Sequence, residues 1–170
     1  MKGLKLYMLT GIIFVSVLGT LLHFAYEFSG NNILVGLFAP VNESIWEHTK
    51  LIFFPMLIYS LYLNKKIRTE YPCTGSAMIA GSLLGIAMII TLFYTYSGII
   101  GFNVAFADIA IVYISVIIAF YSVYKLTTSC KTEQIKVFLQ ILLIVIICLF
   151  FILTFLPPDI PLFMNPETTI

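Results

Sequence analysis

Two imidazoles and several carboxylates stand at the ends of apolar segments in this sequence. His23 and Glu27 are four residues apart, Glu43, Glu47 and His48 fall within one short stretch, and Asp108 opens a later apolar run. Two histidines with one or more carboxylates from facing helices form a ligand set that zinc, iron or manganese accepts. A divalent metal held by His23, Glu27, His48 and Asp108 would activate water. Without a metal, Glu43 or Glu47, desolvated beside a bilayer, can serve as general acid or base with His48 orienting it. Asn42 or Lys50 would then stabilise developing negative charge.

The spacing tempers the metal reading. There is no His-Glu-x-x-His, and adjacent residues such as Glu47 and His48 point about 100° apart on a helix. Ser44 sits beside two carboxylates, but no Gly-x-Ser-x-Gly elbow surrounds it, so serine is a poor nucleophile candidate. The stretch also has a structural explanation. Ser44 and Glu47 form a capping box, Asn42 is a favoured cap, Trp46 suits an interfacial aromatic belt, and Glu47 pairs with Lys50 at i, i+3. None of this accounts for His23, Glu27 and Asp108, each within or bordering an apolar span where an ionisable group needs a partner.

The elements that must position these groups are membrane helices. Of 170 residues, 61% are hydrophobic and 10% charged, and the mean hydropathy is +1.05, far from a soluble domain. Five runs approach the roughly 20 residues needed to cross about 30 Å of hydrocarbon. They lie at about 4–28, 43–63, 75–97, 103–125 and 136–156. Fold class is therefore all-α, a polytopic membrane bundle of five helices in one domain. The first run lacks a small-x-small cleavage site and reads as a retained helix, not a signal peptide.

Lys2, Lys5, Lys65, Lys66, Arg68, Lys125, Lys131 and Lys136 are eight of the nine basic residues, and all fall on alternate sides of the five spans. The positive-inside rule makes that side cytoplasmic, placing the N-terminus inside and the C-terminus, with Asp159 and Glu167, outside. The polar residues then gather towards the outer face. Ser16, Thr20, His23 and Glu27 form one stripe along the first helix. Tyr94, Tyr96 and Tyr113 line the pocket or anchor the interface, the anchor role fitting Tyr94 and Tyr96 best. Pro55 should kink the second helix and free a carbonyl. The segment 28–41 reads as a short outer loop, and Ala77, Gly81 and Gly85 give a close-packing face. Cys73 and Cys130 lie in turns and Cys148 within the last span; their spacing points to no disulfide, so reduced thiols are expected.

The run Pro40 Val41 Asn42 Glu43 Ser44 Ile45 Trp46 Glu47 His48 follows His23 Phe24 Ala25 Tyr26 Glu27. In these residues the chain resembles a family of small integral membrane proteins of clostridia and relatives, marked by Pro-Val-Asn-Glu-Ser-x-Trp-Glu-His, to which no activity is assigned. The resemblance implies a bacterial plasma-membrane setting and transfers no catalytic residue.

Together these features predict a polar His/Glu/Asp pocket at the extracytoplasmic leaflet. It would bind a lipid or other amphiphile, and a membrane-embedded hydrolase or transferase is the enzyme version. Glu43, Glu47 and His48 would carry the acid and base chemistry, with His23, Glu27, Asn42, Lys50 and Asp108 binding ligand. The other class is a transporter, an ion or proton relay, or an accessory membrane subunit, but few polar groups reach the inner side. Nucleic acid is no expected partner, because contact with anionic headgroups accounts for the few basic residues.

Overall fold

The structure is a computed structural model and describes residues 2–166; Glu167, expected on the outer side, lies outside the described residues. Seven helices follow in order: α1 (Lys2–Phe28), α2 (Ile33–Gly36), α3 (Ile45–His48), α4 (Lys50–Ile67), α5 (Thr74–Ile100), α6 (Ala105–Ser129) and α7 (Lys136–Leu153). Two 3₁₀ turns, Lys131–Ile135 and Pro161–Phe163, precede and follow α7. The ends of α1, α5 and α7 and the starts of α4 and α6 share one end of the bundle, here called the upper end.

Among the described residues four helical stretches are long and apolar enough to cross a membrane: Gly3–Phe28, Thr74–Ile100, Ala105–Ser129 and Lys131–Leu153. The second expected span behaves differently. Where one helix over 43–63 was anticipated, the chain forms the single turn of α3 and then α4, running to Ile67. Ser44 accepts a hydrogen bond from the Glu47 amide and so starts α3, while Thr49 Oγ1 donates to the Trp46 carbonyl at 2.6 Å and closes it. Three lysines, Lys50, Lys65 and Lys66, leave α4 more polar than the other long helices.

What α4 lacks in apolar length it makes up in burial. Ile52, Phe53, Met56 and Leu63 are all fully enclosed, so α4 is the central helix against which α1, α5 and α6 pack. Pro55 cannot donate to the carbonyl of Leu51, and that carbonyl lies against Gly19 of α1, where a Cβ would approach it to 2.5 Å. Gly85 of α5 admits the Ile52 side chain, and Gly81 lies beneath Val123 and the Ala119 carbonyl of α6. The small-residue face of α5 thus serves contacts within the chain. A second cluster joins Trp46, Phe53, Phe54 and Phe150, with the Trp46 and Phe150 rings 4.8 Å apart, and holds α7 on the bundle.

Large apolar side chains cover the outside, among them Leu21, Phe106, Ile117 and Ile144. In water such a surface would be untenable, and lipid is its natural solvent. At the lower end, one expectation from spacing is corrected: Cys73 and Cys130 form a disulfide across 57 residues, with Cα atoms 5.4 Å apart. Spacing could not show this because the pairing is made by the packing of α5 on α6. Cys148 remains free and exposed.

Candidate functional site

At the upper end, α1, α5 and α6 and the start of α4 surround a cavity of about 460 Å³, within the range of small-molecule sites. Its polar lining includes Thr20, His23, Glu43, His48, Asn103 and Asp108. Its deeper walls are Val15, Ile89, Ile111, Val112 and Val116.

Three of the polar groups converge. One donor atom from each of His23, Glu43 and His48 lies within 4.8 Å of the others. The two imidazole rings are 5.4 Å apart, and His48 Nε2 is 3.3 Å from Glu43 Oε2. His48 Nδ1 lies 2.9 Å from the Ser44 carbonyl; since a carbonyl only accepts, Nδ1 carries the proton and Nε2 faces the cluster. Among the described residues His23 Nδ1 is buried without a hydrogen-bond partner, an arrangement that costs free energy unless something fills it. Glu43 lies in the loop before α3, outside the long helices. When Nε2 is protonated as well, the His48 imidazolium donates to Glu43 and holds its carboxyl below the usual range.

Asp108 occupies the opposite wall. Tyr96 donates its hydroxyl proton to Asp108 Oδ1 and accepts from the Val104 amide at 3.2 Å. The start of α6 and the end of α5 are thereby tied around one carboxylate. Tyr96, expected as an interface anchor, orients a pocket residue instead. Tyr113 lines the cavity, and its hydroxyl bridges to Thr20 at 3.0 Å.

The structure places the other candidates elsewhere. Glu27 is exposed in the last turn of α1, outside the cavity lining. Asn42 accepts from the Ser44 amide at 2.9 Å and acts as a local cap. Glu47 and Lys50 are completely buried on the other side of α3, in a network of their own. Lys50 Nζ donates to Glu47 Oε2 at 2.7 Å, to Thr154 Oγ1 at 2.6 Å and to the Gly36 carbonyl at 2.9 Å. Glu47 also accepts from the Val41 amide and from Thr154. The 100° between consecutive helical residues separates the two sets: His48 turns to α1, Glu47 to α7. Nothing in the sequence marked Thr154, a lone hydroxyl at the end of an apolar helix. Lys50 also reaches the loop containing α2, donating to the Gly36 carbonyl and, at 3.5 Å, to the Ala39 carbonyl.

The model of a family of unknown function, DUF6512, matches residues 1–169, nearly the whole chain. The chain belongs to that family. No curated protein and no solved structure matches it. Any functional reading for this DUF6512 member therefore comes from its own geometry.

Two features make the cluster suited to a cation. A zinc ion about 2.0 Å from each donor sets donor separations of about 3.3 Å, so atoms already within 4.8 Å can close on an ion by small side-chain rotations. The His48 Nδ1 bond to a backbone carbonyl is the outer-shell contact that fixes a ligating imidazole. Two histidines and one carboxylate leave a fourth position open, as in catalytic rather than structural sites.

Proposed function

We propose that this protein is a multi-pass protein of the bacterial plasma membrane that uses a divalent cation, held by His23, Glu43 and His48, to hydrolyse or transfer a group on an amphiphilic substrate. The reading takes α4 as a fifth span and the upper end as extracytoplasmic, supported by the basic residues at the lower end. The observation that carries it is the buried, unpartnered His23 Nδ1 beside His48 Nε2 and Glu43, at the polar end of an otherwise apolar cavity.

The bound ion would supply Lewis acidity and an activated water. His48 keeps one tautomer through the Ser44 carbonyl, and Glu43 provides the negative charge that favours a cation. Asp108, on the facing wall and oriented by Tyr96, is placed to accept a proton from a nucleophile between the walls. Glu47 and Lys50 have no part in this chemistry, because their polar atoms are engaged with each other and with Thr154. Elemental analysis of the purified protein tests the reading. Near-stoichiometric zinc, iron or manganese that falls away in His23→Ala and His48→Ala supports it; equal metal in wild type and both variants overturns it.

A further inference from the structure

The proposed reading leaves the substrate an amphiphile; the shape of the cavity narrows it. Along α1 the lining runs from His23 down to Val15, about 12 Å at 1.5 Å per residue. The imidazoles and carboxylates are confined to the upper part; below the Thr20–Tyr113 pair the lining is apolar apart from Ser16 and is closed by Val15, Ile89 and Val116, with Val15 and Val116 each 1% exposed. An ion centre at one end and a blind apolar pocket below it match a molecule with an oxygen-rich head and one hydrocarbon chain.

The side wall shows where such a molecule would come from. α1 and α6 touch where Gly11 meets the Phe120 ring and again at the Thr20–Tyr113 hydrogen bond. Above that bond the facing pair is Phe24 and Ile109, which line the cavity yet are 46% and 58% exposed. Their neighbours on the outer surface, Leu21 and Phe106, are 62% and 81% exposed. The apolar outside and the apolar lining therefore meet between α1 and α6, near the upper ends of two helices long and apolar enough to cross a membrane.

We propose, resting on the reading above, that the substrate is a membrane lipid drawn sideways from the bilayer between Phe24 and Ile109. One acyl chain descends past the Thr20–Tyr113 bridge towards Val15 and Val116, and the headgroup oxygens face His23, Glu43, His48 and Asp108. Entry by this route costs the chain no exposure to water, since it passes from one apolar medium to another.

The test uses the full chain in lipid nanodiscs containing a phosphatidylglycerol with a diazirine at the end of one acyl chain. After photolysis, adducts are mapped by peptide mass spectrometry. The expected result is labelling of the cavity floor at Val15, Ile89 and Val116, reduced at least tenfold in a Val116→Phe variant while labelling of the outward-facing Val17, Leu21 and Ile117 is unchanged. Labelling confined to those outward positions in the wild type overturns the proposal, whatever the variant does. Metal content is measured on the same wild-type sample. Floor labelling without metal upholds the lipid assignment and sinks the cation, and metal without floor labelling does the reverse.

Discussion

His48 donates a hydrogen bond from Nδ1–H to the Ser44 carbonyl and turns Nε2 to within 3.3 Å of the Glu43 carboxylate. One backbone hydrogen bond thus fixes the tautomer of the α3 side chain that packs against the His23 ring. His48→Gln should lower cation affinity by more than the roughly 10–100-fold typical of losing an outer-shell contact, because it removes a ligand, while leaving the melting temperature in detergent within a few degrees of wild type. Metal titration against a chelator checks this; unchanged affinity would exclude His48 as a ligand.

Protons compete with a cation for imidazole nitrogens. Cation affinity should therefore fall steeply as pH drops, starting above the ordinary histidine range, because the His48 pKa is raised: burial opposes its charge, but the hydrogen bonds to Glu43 and the Ser44 carbonyl and the nearby carboxylates outweigh that. Glu43 does not set that limit, because the His48 hydrogen bond lowers its pKa. A carboxyl depressed in the folded protein stays ionised, and its favourable contribution is lost only as pH falls through that lowered value. Titrations at pH 5, 6 and 7.5 distinguish the cases: a flat profile is incompatible with histidine ligation.

Asp108 faces the cluster without belonging to it. Asp108→Asn should retain bound metal and the cavity but reduce lipid turnover about 100-fold or more, the lower range for a general base. Tyr96→Phe removes only its orienting hydrogen bond and should have a smaller effect on the same rate. Full turnover in Asp108→Asn would refute the base assignment.

The Glu47–Lys50–Thr154 network is a buried ion pair. Removing one partner strands the other, so Lys50→Met or Glu47→Gln should each cost about 3–5 kcal/mol. The double variant Glu47→Leu, Lys50→Met should be closer to wild type than either single, since neither charge is left alone. Thermal unfolding in detergent reads the cycle. Additive losses would mean that the two charges are not coupled.

Cys73 is buried and Cys130 exposed, and their disulfide ties the turn before α5 to the end of α6. Intact mass after alkylation of intact cells should show two fewer alkylated thiols than after reduction. Cys73→Ser should lower stability by less than the 2–4 kcal/mol typical of such a bond, because the flanking helices already hold its ends together. Complete alkylation of both thiols before reduction would show the pair reduced in the cell.

The sequence by itself determined that this chain is helical and built for lipid. Apolar runs of bilayer length and sparse charge leave no other way to satisfy the backbone. It also marked His23, Glu43, His48 and Asp108 as ionisable groups at one end. What it could not decide was which way each side chain turns. Adjacency in the chain grouped Glu47 with His48 in one acid–base set, although consecutive helical residues point about 100° apart, and periodicity placed Glu27 with His23; the folded chain sends Glu47 to the end of α7 and leaves Glu27 exposed outside the cavity lining. The partners that separate a pocket from a structural knot, Thr154 for Lys50, Tyr96 for Asp108 and Cys130 for Cys73, lie on other helices. Contacts between distant segments depend on helix packing, and only the tertiary structure contains that information.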